Sequence, residues 1–220
     1  MSGKKRNVML FVLLFTLLLG VIVPVQAQSY GGTKTIRVAY REDADFINKS
    51  SSGVYKGYGV EYLNKIKNTQ SEHPQREYAR KLFLLSYYCY GISFIDMAYL
   101  TKDNILKLNN GEYIVYKRHK IQHQKSVKPI KIRITQEIQY LLASLKASSP
   151  TVDDYIIPIV SIGGYTGEKL YNHIRFRYQK YNSYLAELAK ELQITDIKLT
   201  TYVSRHTMAM MLQRNDVSRE

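Results

Sequence analysis

The sequence predicts a mainly α-helical fold with a small antiparallel β-sheet, an α+β architecture. Two observations carry this. Three long stretches, near 76–91, 135–148 and 168–194, place apolar residues at steps of three and four, the period of an amphipathic helix. Between them, "GEYIVYKRHK" and "VKPIKIRI" alternate apolar with polar or basic residues, the period of half-buried strands. With 220 residues, 45% hydrophobic and 12% aromatic, the chain can bury a sizeable core and is not of disordered composition.

In chain order, Lys4, Lys5 and Arg6 precede an uncharged stretch at 8–23, then Pro24 and the small-residue ending "VQA". That is the pattern of a secretory signal peptide. The apolar stretch falls short of the roughly 20 residues a membrane span needs, so removal after Ala27 is favoured over a retained anchor. At 36–40, "IRVAY" alternates as a strand does, and Val60, Leu63 and Ile66 are spaced as on a helix. The polar stretch "KNTQSEHPQ" at 67–75 reads as a junction between a fragment at 28–66 and a domain at 76–220.

After the junction, "REYARKLFLLSYYCYGISFIDMAYL" predicts a long helix ending near Gly91 and a short one after it. The two strands follow. Thr135 then caps a helix with Ile138, Leu141, Leu142 and Leu145 on one face. Pro158 and Gly163-Gly164 interrupt the pattern. The longest helix comes next, with Leu170, Ile174, Tyr178, Tyr181, Leu185, Leu188 and Leu192 on one side. No internal repeat is visible.

A net charge of +14 and a pI near 9.6 point to a polyanionic partner, either nucleic acid or an anionic membrane surface. Cys89 is the only cysteine, which excludes an intrachain disulfide and a thiolate zinc site and leaves a small core residue as its reading. Seven Lys or Arg fall between Lys117 and Arg133 with no acidic residue among them: Lys117, Arg118, Lys120, Lys125, Lys128, Lys131 and Arg133. Alternation in "IKIRI" lets one strand face pack inward while Lys131 and Arg133 track a DNA backbone. Arg175 and Arg177, beside Tyr178 and Tyr181, are further candidate DNA contacts. Arg205, read from its neighbours alone, is a helix-start charge or a phosphate clamp. No metal is expected, since His119 and His123 lie on a hairpin with no carboxylate nearby. Nor is a nucleotide, since Glu168 interrupts the glycine-lysine spacing of "GGYTGEK".

Three blocks, "REYARKLFLLSYYCYGISFIDMAYL", "YKRHKIQHQ" and "LTTYVSRHTMA", resemble the catalytic domain of tyrosine-type site-specific recombinases. These are the phage and conjugative-transposon integrases, here most similar to the branch found in Bacteroides-like bacteria. The resemblance covers about 72–220. It implies double-stranded DNA as partner, a homo-oligomer assembled on that DNA, and chemistry without metal or nucleotide cofactor. Arg205 matches the second active-site arginine, Tyr202 stands at the first histidine of that motif, and His206 follows as a supporting residue. Lys120 matches the hairpin lysine that protonates the leaving oxygen, although Ile121 and Gln122 replace the usual Thr-Gly. Ser93 stands at the first arginine position, and Tyr90 where this branch often carries an arginine instead. Losing that guanidinium costs on the order of 10²-fold in rate. Only "HTMAMMLQRNDVSRE" follows Arg205, with no counterpart of the family's nucleophilic tyrosine. The family's helical core-binding domain is not matched either. The resemblance therefore implies a truncated, DNA-binding domain for recombination and integration, from a mobile element, with impaired strand cleavage.

Residues 34–66 resemble the opening of periplasmic solute-binding domains, whose first strand and helix run much as "KTIRVAY" and "YKGYGVEYL" do here. The rival expectation is thus an exported ligand-sensing protein. The two resemblances imply different compartments, nucleoid for one and periplasm or exterior for the other.

Overall fold

A computed structural model describes residues 48–49, 55–56, 58–195 and 197–214. The signal-peptide pattern at 1–27 and the strand expected at 36–40 lie outside these. The described residues fall within one unit of the chain, Tyr40–Ser218. A short antiparallel pair, β1 (Asn48–Lys49) and β2 (Tyr55–Lys56), precedes helix α1 (Tyr58–Asn68). Then come α2 (Pro74–Tyr88), the short α3 (Phe94–Ala98), strands β3 (Ile105–Leu108), β4 (Gly111–Tyr116) and β5 (Ile130–Arg133), and helices α4 (Gln136–Ser148), α5 (Gly167–Glu191) and α6 (Thr201–Arg214).

Helix α2 is the centre of the core. Proline at its first position, where the missing N–H costs nothing, and apolar residues around most of its circumference suit a helix enclosed by others. Leu82 and Leu85 are fully buried, each worth about 2 kcal/mol of apolar transfer. Helices α1, α4, α5 and α6 all pack against α2. Thr135 caps α4 by accepting the Ile138 N–H, and Ile138, Leu141 and Leu145 are buried as the spacing predicts. Along α5 the buried residues are Ile174, Tyr181, Leu185, Leu188 and Ala189, with Tyr181 stacked on Phe94 of α3 at 5.2 Å. The connection after α4 runs through the core at Ile157, Ile159 and Val160. Its carbonyls are satisfied by side chains: Tyr78 Oη donates to Pro158 O and Arg177 Nε to Ile159 O.

The sheet has the order β3-β4-β5, antiparallel throughout. Ile114 pairs with Ile132 and Tyr116 with Ile130 on the inward face, while Lys131 and Arg133 point to solvent. Strand β3 is absent from the sequence reading. "ILKL" is short and mostly exposed, so its hydrophobic pattern is too brief to separate from a loop. Strand β4 ends at Tyr116, earlier than the expected run to Lys120. Residues 117–129 instead form a loop with a 3-10 turn at His119–Ile121.

The stretch at 67–75 holds the last two residues of α1, a short turn and the first two residues of α2. Tyr62, Leu63 and Ile66 of α1 belong to the same buried cluster as α2. Buried Arg80 of α2 donates to the Ile66 and Lys67 carbonyls and to the Glu77 carboxylate at 2.7 Å. Across the α2–α5 contact, Ser71 Oγ donates to Glu191 and Arg76 pairs with Glu187 and Glu191.

Candidate nucleic-acid interface

The corner after α2 positions the site. Gly91 N–H donates to Ser86 O at 2.8 Å and Tyr90 N–H to Tyr87 O at 3.1 Å, a Schellman cap that turns the chain out of the helix. Tyr90, at φ 55, occupies the left-handed position where glycine is usual, a conformation costing about 1–2 kcal/mol for other residues. Gly91, at φ 74, follows. A Cβ there would lie 3.0 Å from the Arg205 Cα, so this glycine lets the corner press against α6. Ser204 Oγ, one residue away, donates to Ser86 Oγ in the buried α2–α6 contact.

Arg205 lies one turn inside α6, which starts at Thr201, and not at the helix start as the sequence suggests. The N-terminal dipole fades within the first turn and gives Arg205 little help in holding an anion. The exposed Tyr202 precedes it on the same face and stacks on His206, with ring centroids 5.7 Å apart.

The short helix α3 links this corner to the basic loop. Ser93 caps it: its Oγ accepts the Asp96 N–H and donates to Asp96 Oδ2 at 2.6 Å. The other carboxylate oxygen, Oδ1, accepts the His119 N–H at 2.8 Å. The His119 ring stacks on Tyr99 at 4.0 Å. Two anchors thus fix the loop at the residue before Lys120, whose own side chain is exposed. A cleft of about 470 Å³ opens beneath, lined among others by Asp96, Tyr99, Tyr116, Lys117, His119 and His123.

Tyr116, at the end of β4, brings the pieces together. Burial raises its phenol pKa above the ordinary value, and Asp96 and Cys89 push the same way. The guanidiniums of Arg118 and Arg205 oppose that rise. Both cations therefore bear on one phenol, although 87 residues of chain separate them (205 − 118). Burial also pushes the Cys89 thiol up to about 12, in keeping with its reading as a core residue.

Among the described residues, Arg118, Lys117, Lys120, Lys125, Lys128, Arg175 and Arg205 form no ion pair with a carboxylate. Lys131 sits over the Tyr113 ring at 4.1 Å, and Arg133 donates to Asn110 O. Arg175 is exposed, in helical register with Tyr171 and Tyr178, and Tyr178 Oη lies 3.4 Å from Thr201 Oγ1 at the start of α6. Arg177 differs. Its guanidinium lies over Tyr78 and donates to Ile159 O, so packing claims it and it leaves the basic face. Tyr181 is buried. In "GGYTGEK" the Gly164 N–H donates to the Asp153 carboxylate.

The sequence reading missed Asp96, Tyr99 and Tyr116. For Asp96 a signal was present: Ser93 with an acid three residues on is a helix-cap signature, and it accounts for serine at this corner. Tyr116 carried no signal beyond strand alternation.

No protein-family model matches the chain, and no curated protein matches it. Among solved structures it is similar to the XerH site-specific recombinase bound to its difH substrate in a pre-cleavage complex, with 14% sequence identity and a TM-score of 0.49. The likeness covers 99% of this chain and 56% of that one, so this chain spans little more than half of that recombinase's length.

Proposed function

We propose that this protein is a DNA-binding domain of tyrosine-recombinase type, which grips the sugar-phosphate backbone with Arg205, Arg118 and Lys120. The observation that carries it is the close approach of Gly91 to Arg205, together with the Asp96–His119 bond that holds the loop bearing Arg118 and Lys120. A guanidinium donates two parallel hydrogen bonds to phosphate oxygens, and two of them around one phosphate balance most of its charge. Lys120 stands on the fixed side of the loop, where an ammonium can hand a proton to a departing oxygen. The three sequence blocks support the same reading: Gly91 at the corner lies against Arg205 of α6, and the Asp96–His119 bond ties the basic loop to the short helix after that corner.

Cleavage is weak in this reading. Ser93 carries no positive charge, and its hydroxyl is engaged in capping α3. Tyr90 adds no cation either. Double-stranded DNA is the partner, bound by protein copies side by side.

The test is equilibrium binding to duplex DNA beside a covalent-trapping assay on a nicked suicide substrate. Arg205→Ala and the double variant with Arg118→Ala should weaken duplex binding about tenfold or more, and no covalent adduct should form. Unchanged affinity in both variants would remove the site. An adduct at the yield of an active recombinase would overturn the statement about cleavage.

A further inference from the structure

We propose that the exposed tyrosines beside Arg205 form a stacking site for an unpaired base, so that this interface prefers DNA with a single-stranded gap to continuous duplex. The inference rests on the DNA-binding reading above and adds the form of DNA that the site takes.

Tyr90 is the first observation. A bulky aromatic occupies the left-handed cap position that glycine fills without strain, yet its side chain is 60% exposed. Core packing therefore does not account for the residue. Strained, exposed positions of this kind gather at binding sites. The next residue, Gly91, lies against the Arg205 backbone and the base of its side chain, so Tyr90 is one residue from that contact.

Tyr202 is the second. It is 64% exposed and precedes Arg205 by about one helical turn. Its ring is already held parallel to His206, at an interplanar angle of 16°, so one face is supported while the Tyr202 side chain stays exposed. A rigid, supported ring loses little entropy when a base stacks on it.

Cations without carboxylate partners complete the pattern. Arg118, Lys120 and Arg205 supply charge for the backbone, and the tyrosines supply apolar faces. A groove that combines cations with exposed aromatic rings is the recognition chemistry of single strands, because an unpaired base offers its π-face while a duplex hides it between neighbours. A surface built for duplex backbone alone needs the cations and gains little from the rings.

Fluorescence anisotropy with labelled oligonucleotides of equal length tests this on the full chain, comparing continuous duplex with duplex carrying a short single-stranded gap. The gapped DNA should bind about tenfold more tightly. Tyr90→Ala and Tyr202→Ala should each draw that ratio toward one, whereas Tyr90→Phe and Tyr202→Phe, which keep the ring, should preserve it. Arg205→Ala should weaken both DNAs together. Equal affinity of the unchanged protein for the two DNAs, or alanine variants that retain the full preference, would overturn the stacking site while leaving the DNA-binding reading intact. Failure to bind either DNA would overturn both.

Discussion

Gly91 and Gly164 have nearly the same backbone angle, φ 74 and φ 73, but different surroundings. Around Gly164 an added Cβ meets nothing within 4 Å, whereas at Gly91 it meets the Arg205 backbone at 3.0 Å. Gly164→Ala should therefore cost only the conformational penalty, about 1 kcal/mol. Gly91→Ala carries that penalty and must also push the corner away from α6, for a total of about 2–3 kcal/mol. Chemical denaturation of the two variants measures the difference. Equal losses would mean that the corner does not bear on Arg205. The same residue fixes how closely the corner after α2 approaches α6 at Arg205.

At the scale of elements, α1 is tied to α2 by buried Tyr62, Leu63 and Ile66 and by Arg80 of α2, which donates to the Ile66 and Lys67 carbonyls while paired with Glu77 of its own helix. Burial of Glu77 raises its pKa, but the Arg80 hydrogen bond, the Ser71 N–H and the charges of Arg80 and Lys81 outweigh that, and the net shift is downward. A folded-state pKa below the unfolded value adds stability that is fully present above about pH 4.5 and is lost as pH falls through the depressed value. Glu77→Gln should cost about 3 kcal/mol at neutral pH, since it leaves the buried Arg80 short of its charge partner. It should also flatten the acid limb of the stability profile below pH 4.5. Urea unfolding between pH 3 and 7 reads both, and an acid limb as steep as in the unchanged protein would count against the pair. The β4–β5 loop is held in a comparable way, by Asp96 and Tyr99 at one end, which is how a short helix governs a long basic segment.

Over the whole molecule the charge is unevenly used. Arg76, on the α2–α5 contact, is paired with Glu187 and Glu191, whereas Arg118, Lys120 and Arg205 have no carboxylate partner among the described residues. Counterion release then predicts a specific pattern: log affinity for DNA falls linearly with log salt, and each phosphate contact removed lowers the slope by about one. Lys128→Ala and Arg205→Ala should each do so, and Arg76→Ala should leave the slope unchanged. A titration from 50 to 200 mM salt distinguishes them.

Helices α2, α4 and α5 were legible because their signals are local. Apolar residues recur every three or four positions, and Thr135 caps α4. Strand β3 was not, since four mostly exposed residues carry too little pattern. Within the candidate site, Lys120 and Arg205 were named through the recombinase resemblance of the blocks that hold them, and Arg205 read from its neighbours alone stayed open. Arg177 was read as a surface cation because nothing adjacent in sequence shows that Ile159 O and Tyr78 lie across from it.

The sequence alone determined the helical periods, the alternating basic strands, the caps and the large positive charge, all set by a residue and its near neighbours. Tertiary structure alone decided which cations stay unpaired, that α1 shares the core of α2, and that Asp96 holds the loop before Lys120. These depend on contacts such as Ser86 with Ser204, 118 residues apart, and Asp96 with His119, 23 apart. The physical reason is that a hydrogen bond or an ion pair forms between groups close in space, and only folding brings these groups together.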